Sequence, residues 1–299
     1  MTEAAAAIDV AGLTKRYGSV AAVTGLGFVV PRHRITGFLG RNGAGKSTTI
    51  KMLLGMIRPT AGAGHVLGLD IADPEASLAI RRQVAYVGED KGLYAYMTVR
   101  ELVQFTRAFY ADWRPDHEQR LLAQYELPLD RRIKALSKGM RTKVALLLAL
   151  ARAPALLVLD EPTEGLDPVA IEQLLQELAQ RSADGTTIFF SSHQLAEVER
   201  IADDVVVIDR GAIVLETSLD DMRAHYRAVT VGFEREPAAA AFLMPGVRRA
   251  RTNGRQVAVL ETENVDAVVA RARTLGATSV QVAGVSLREV FLDRVDGAP

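Results

Sequence analysis

One stretch constrains this chain more than any other: Gly40-Arg41-Asn42-Gly43-Ala44-Gly45-Lys46-Ser47-Thr48, following the apolar run Ile35-Thr36-Gly37-Phe38-Leu39. Its Gly-x4-Gly-Lys-Ser spacing, between a strand and a helix, is that of a phosphate loop. Three glycines let the backbone turn its N–H groups inward around a polyphosphate. Lys46 supplies a point charge for the β- and γ-phosphates, and Ser47 a hydroxyl for Mg²⁺. The helix opening near Ser47 aims its positive end at the same anion, so Asn42, Gly43, Ala44, Gly45 and Thr48 join the candidate binding residues.

A second signal is Leu156-Leu157-Val158-Leu159-Asp160-Glu161. A buried parallel strand delivers two adjacent carboxylates to its carboxyl end, where α/β sheets put their ligands. Asp160 can hold Mg²⁺ through water, and Glu161 can take a proton from an attacking water. This pairing turns a nucleotide binder into a nucleotide hydrolase. Other classes recede on composition. Lys+Arg and Asp+Glu are both 36, and no long basic block marks a nucleic-acid footprint. The absence of cysteine excludes disulfides and thiol chemistry. Ala4 to Ala7 lie between Glu3 and Asp9 without a basic region, so no signal peptide is expected. The most apolar run, Val144 to Leu159, carries Arg152 and Pro154 and is too short to span a bilayer, so any membrane role needs a partner.

The periodicities give an α/β chain with two units, 1–222 and 223–299. Residues 8 to 39 read as short strands broken by Gly12, Gly18, Gly25 and Pro31, an antiparallel start leading into the loop strand. From about 90 to 150 the period becomes helical. Thr98 with Glu101 forms a capping box, Pro115 opens a second helix, and Ser137 caps a third. Strands then alternate with helices to Val205–Ile208, which predicts a mainly parallel sheet covered on both faces. Past Asp220 the order is strand, helix, strand, strand, helix, strand, with the first helix at Pro237 to Leu243. That is a ferredoxin-like small α+β domain. Ser286 and Glu289 cap a last helix.

Together these residues resemble the ATP-binding cassette (ABC) family over about residues 5 to 220. Leu136-Ser137-Lys138-Gly139-Met140 looks like the family signature, usually Leu-Ser-Gly-Gly-Gln, departing from it at Lys138 and Met140. The resemblance implies the P-loop NTPase ABC fold: a mainly parallel core sheet, an antiparallel β subdomain and a helical subdomain. It implies ATP with Mg²⁺ as cofactors. It also implies a head-to-tail self-dimer in which Ser137 and Gly139 contact the γ-phosphate of ATP held by the other subunit. Tyr17 stands where the family stacks an aromatic on adenine, Asp167 in the loop that crosses the dimer interface, and His193 at the switch histidine that helps hold the attacking water. Glu89 occupies the position of a glutamine that touches Mg²⁺ and senses the transmembrane partner, and with Ser47 and Asp160 completes the implied metal set. Glu89, Lys138 and the C-terminal extension resemble bacterial export-type subfamilies of the drug- or peptide-resistance kind.

The implied function is the ATPase subunit of a transporter, powering a separate permease from the cytoplasmic face of the membrane. A soluble ABC ATPase acting on ribosomes or DNA is the alternative. Against it, the chain carries neither two cassettes nor a long coiled-coil insertion. A GTPase or small-molecule kinase is a third reading, for which no Asn-Lys-x-Asp guanine signal is present.

Overall fold

The computed structural model describes residues 6–261 and 264–296. Part of the N-terminal stretch read above for a signal peptide, residues 1–5, lies outside the described residues. The chain forms two compact units, the first ending at Glu216 and the second beginning at Thr217.

In the first unit, residues 8–39 break at Gly18, where a hairpin turns, and at Pro31, but not at Gly12 or Gly25. Two strands of 12 residues form a hairpin, β1 (Ala6–Tyr17) and β2 (Val20–Pro31). Gly12 and Gly25 sit at irregularities in the β1–β2 register, which bend the ladder without ending it. After β3 (Ile35–Leu39) and α1 (Lys46–Leu53), the short strands β4 (Ala61–Val66) and β5 (Leu69–Asp70) complete an antiparallel sheet of order β2-β1-β4-β5.

Next come α2 (Pro74–Gln83), capped by Asp73, and the buried β6 (Val84–Val87). The helical insertion holds α3 (Val99–Arg107), α4 (Pro115–Gln124) and α5 (Lys138–Leu150). The Thr98–Glu101 capping box forms, and Ser137 caps α5 by accepting from the Met140 N–H. The remaining elements are β7 (Leu156–Asp160), α6 (Pro168–Ala183), β8 (Thr187–Ser192), α7 (Leu195–Ile201), β9 (Asp204–Asp209) and the unanticipated β10 (Ala212–Ser218). They build a six-stranded sheet of order β10-β9-β3-β8-β7-β6, in which β3 pairs in parallel with β8 and β9 and β7 with β6 and β8. Every residue of β3, β7 and β8 is buried, as expected for parallel strands covered on both faces. Phe28 of the antiparallel sheet stacks with Phe38 and Phe189 of the parallel one at centroid distances of 5.7 and 6.0 Å, which fuses the two sheets over one core.

A buried cation joins the helical insertion to this core. Arg152 donates to Asp112 in the insertion and to the carbonyls of Arg82 and Val84, and its guanidinium lies 3.8 Å from the Tyr110 ring centroid. Arg181 donates in turn to the carbonyls of Leu150 and Arg152 and to Glu177, which also receives both amino groups of Arg120. Arginine suits this place because its planar fork satisfies several fixed acceptors at once.

The second unit contains α8 (Leu219–His225), β11 (Arg227–Gly232), β12 (Val247–Asn253), β13 (Gln256–Glu261), α9 (Val265–Thr274), β14 (Ser279–Gly284) and α10 (Leu287–Asp296). Its antiparallel sheet has the order β12-β13-β11-β14, with α9 packed over Val229, Val231, Val257 and Val259. The helix expected over Pro237–Leu243 is a four-residue 3-10 turn, Ala239–Phe242. Pro245 biases Met244 away from helical backbone, and the turn suffices to bury Phe242. Among the described residues, no helix is long and apolar enough to cross a membrane.

Candidate functional site

The phosphate loop leaves the end of β3, at the centre of the six-stranded sheet. Gly45 caps α1 in the left-handed conformation at φ 111°, and the first turn of α1 carries no acidic side chain. The helix thus presents its orphan N–H groups with nothing anionic on the same turn. Lys46 is 6% exposed, and its ammonium reaches the Gly40 carbonyl at 2.7 Å, the Arg41 carbonyl at 3.5 Å and Glu161 Oε1 at 3.2 Å. Two carbonyl acceptors and the charge of the Glu161 carboxylate hold the ammonium over the loop.

Glu161 follows β7 directly and adopts φ 49°, a left-handed conformation uncommon for a residue with a side chain. The surrounding contacts impose it. Parallel pairing sets Asp160 beside Ser191, whose hydroxyl donates to Asp160 Oδ1 at 2.6 Å and accepts from the Glu161 N–H at 3.1 Å. Lys91 donates to the Glu161 carbonyl at 3.4 Å. Glu161 Oε2 meets His193 Nδ1 at 2.8 Å and the His193 N–H at 3.4 Å. A carboxylate oxygen accepts, so in this pair Nδ1 is the donor. Backbone strain retained by several cross-links is a feature of functional sites.

A cavity of about 320 Å³ opens here, and every loop residue from Asn42 to Thr48 except Ala44 lines it, together with Glu89 and Glu161. Ala44 is buried beneath the loop, where its carbonyl accepts from the Gly211 N–H. Glu89, on the exposed turn after β6, also lines a neighbouring cavity bounded by Lys134, Lys138 and Glu164. Burial and the charges of Asp160, Asp90 and Glu89 push the Tyr86 hydroxyl up to about 12. Tyr86 therefore stays a neutral donor beside the carboxylates.

The other anticipated residues collect elsewhere. The first turn of α5 packs against the segment before α6. A side chain at Gly139 would place its Cβ 2.6 Å from the Gly165 carbonyl oxygen, so this approach admits only glycine. Thr142 Oγ1 donates to the Glu164 carbonyl. Lys138 pairs with Glu164 and thereby holds that carboxyl below its usual range. Asp167 caps α6 by accepting from the Ala170 N–H, which lowers its pKa, and lies 3.9 Å from Lys143. Ser137, Gly139 and Asp167 are not among the residues lining the phosphate cavity, and Tyr17 is half exposed at the hairpin end with Lys15 5.1 Å from its ring centroid.

Sequence reading passed over Ser191 and Lys91. Ser191 stood in plain view beside His193, but its role emerges only from the β7–β8 register. Lys91 approaches Glu161 from the loop after the neighbouring strand β6, and nothing local to its sequence signals this.

The model of the ABC transporter family matches residues 23–164. Nod factor export ATP-binding protein I of Ralstonia nicotianae is 34% identical over 255 residues, covering 83% of this chain and 79% of the relative. The chain belongs to the ABC transporter family. Bacitracin transport ATP-binding protein BcrA of Bacillus licheniformis is a second relative, 36% identical over 74% of this chain and 72% of its own length. Among solved structures, an ATP-binding subunit of an ABC transporter aligns with a TM-score of 0.66 at 34% identity, covering 73% of this chain and 92% of that one. A dimeric bacterial ABC transporter cassette aligns with a TM-score of 0.65 at 23% identity, covering 71% and 98%, and shows the shared fold. The cassette therefore binds ATP and has the family's ATPase architecture, with the small α+β unit appended.

Proposed function

We propose that this cassette hydrolyses ATP at the cavity between Asn42–Thr48 and Glu161 and drives a separate membrane permease, in the direction of export. The observation that carries the reading is the Lys46–Glu161–His193 chain: Lys46 and Glu161 line the phosphate cavity, and Glu161 in turn bonds the His193 imidazole. Glu161 takes the proton of the attacking water and His193 helps to orient that water. The relatives are named as export and transport ATP-binding proteins, which supports the direction and the permease. The cassette would sit on the cytoplasmic face of the membrane through that partner. That Ser137, Gly139 and Asp167 do not line the cavity supports a head-to-tail dimer, in which they complete the partner's ATP site and Tyr17 stacks on adenine.

Magnesium fits the donor set. Ser47 and Glu89 offer hard oxygens to the cavity, and Asp160 stands just behind Glu161. Among the described residues, no three His, Cys, Asp or Glu form a protein-only metal cage. Mg²⁺ is commonly held by one or two protein oxygens plus phosphates and waters, which is what Ser47, Asp160 and Glu89 would provide. When bound it would neutralise phosphate charge. Reconstitution with a candidate membrane permease tests the function. ATP turnover should rise on adding the permease in liposomes and stop on chelation of Mg²⁺, and turnover indifferent to the permease would contradict the transport reading.

Glu89 adds an expectation of its own. A carboxylate binds Mg²⁺ more strongly than an amide but adds negative charge beside the γ-phosphate. Glu89→Gln should therefore bind ATP like the parent, while its ratio of permease-stimulated to basal turnover changes by about threefold or more. Unchanged rates in both assays would remove Glu89 from the coupling path.

A further inference from the structure

A second cross-link joins the segments that carry Glu161 and His193. Thr163 lies two residues beyond Glu161, and Glu197 lies four beyond His193 on α7. The Thr163 hydroxyl donates to Glu197 Oε2 at 2.9 Å, with Thr163 3% and Glu197 7% exposed. The surroundings hold both ends. Next to Glu197, Val198 packs against β3 so closely that a Cβ at Gly37 would lie 2.3 Å from Val198 Cγ1. Thr163 belongs to a turn in which the Glu164 N–H donates to the Glu161 carbonyl and the Leu166 N–H to the Thr163 carbonyl.

A buried carboxylate is costly to keep, and this one lies in the field of Glu161, with Arg200 as an opposing cation. Burial and the Glu161 charge push its pKa up. Nothing in the hydrolytic reading uses Glu197, since neither it nor Thr163 lines the phosphate cavity. Their bond does something else: it fixes the register between the turn after β7 and the start of α7. The Glu161–His193 contact spans the same two segments.

We propose that the Thr163–Glu197 hydrogen bond is a positioning contact that holds Glu161 and His193 in their hydrogen-bonded geometry, and through it sets the rate of ATP hydrolysis. The inference rests on Glu161 acting as the base. Neither Thr163 nor Glu197 need touch the nucleotide, so their loss should lower kcat and leave ATP affinity intact. A buried hydroxyl–carboxylate bond is directional, whereas an apolar contact of equal volume is not, and small misplacements of reacting groups cost large factors in rate.

The test uses the full chain with ATP and Mg²⁺, measuring basal turnover, ATP Kd and thermal stability. Thr163→Val and Glu197→Leu should each lower kcat about tenfold with Kd unchanged. Thr163→Ser and Glu197→Gln, which keep a donor and an acceptor, should recover most of that loss. The double variant Thr163→Val/Glu197→Leu removes both polar partners and should fold as stably as the parent, because no buried polar group is left unpaired. It should nevertheless turn over no faster than either single variant. Parental turnover in the double variant, a parallel loss of ATP affinity, or conservative variants as slow as the disruptive ones would each overturn the proposal. Glu161→Gln, assayed alongside, separates the two ideas. If it retains turnover the base assignment fails, whereas if it is inactive and the Thr163 variants are normal, only the positioning role fails.

Discussion

Glu161→Gln should bind ATP at least as tightly as the parent and hydrolyse it about 10²–10⁴-fold more slowly, the range a positioned general base contributes. The substitution is nearly isosteric. An amide oxygen can still accept from Lys46 or from His193, so the left-handed backbone at Glu161 and its bonds to Ser191 and Lys91 keep their support. What disappears is the ability to take a proton. The formal negative charge on the cavity wall also disappears, which favours the retention of a polyphosphate held by Lys46 and the α1 N-terminus. Single-turnover hydrolysis and nucleotide dissociation should be measured on the same preparation. Slow chemistry with slow release of intact ATP is the expected pair, and substantial turnover would remove Glu161 as the base. If ATP closes a head-to-tail dimer, this variant should also lengthen the life of that dimer on gel filtration.

The features of this site that were legible in the sequence are those encoded within a few residues of chain. Gly40 to Thr48 specifies a loop, and Leu156 to Glu161 specifies a buried strand ending in carboxylates, because glycine spacing, apolar runs and charge placement act locally. The caps at Thr98, Ser137 and Ser286 were readable for the same reason: each is a side chain meeting a backbone group three residues away. Contacts made across the sheet were hidden. Nothing near Lys46 announces that its ammonium lies 3.2 Å from a carboxylate more than a hundred residues later, and Lys91 and Ser191 reach Glu161 only through strand order and register. Lys138, a departure from the signature in the sequence, pairs with Glu164 because α5 packs onto the turn before α6. The hairpin of β1 and β2 was misread as short pieces, since glycines that end a strand and glycines that bulge one look alike in sequence. The Pro237–Leu243 segment was overestimated because an alanine run has high helix propensity, yet Pro245 biases Met244 away from helical backbone.

The Lys46–Glu161 pair leads to the second large effect. Lys46→Ala should weaken ATP binding by about two orders of magnitude, the equivalent of one or two charge-assisted hydrogen bonds of roughly 1.5–3 kcal/mol each. Two contributions point the same way. The variant loses the ammonium that would meet the β- and γ-phosphates, and it leaves the Glu161 carboxylate uncompensated in a largely buried position facing the incoming anion. The second contribution is separable. Removing the Glu161 charge as well should relieve the repulsion, so Lys46→Ala/Glu161→Gln should bind ATP more tightly than Lys46→Ala alone while remaining inactive. Two residues in direct contact are expected to be non-additive in this way, and the double-mutant cycle isolates their coupling from the direct loss of phosphate contact. ATP titration by calorimetry over the four proteins decides it. Normal affinity in Lys46→Ala would contradict the phosphate-loop assignment. Equal affinities for the single and double variants would show that Glu161 exerts no repulsion on the nucleotide, and that the 3.2 Å ion pair is a structural tie independent of ATP binding.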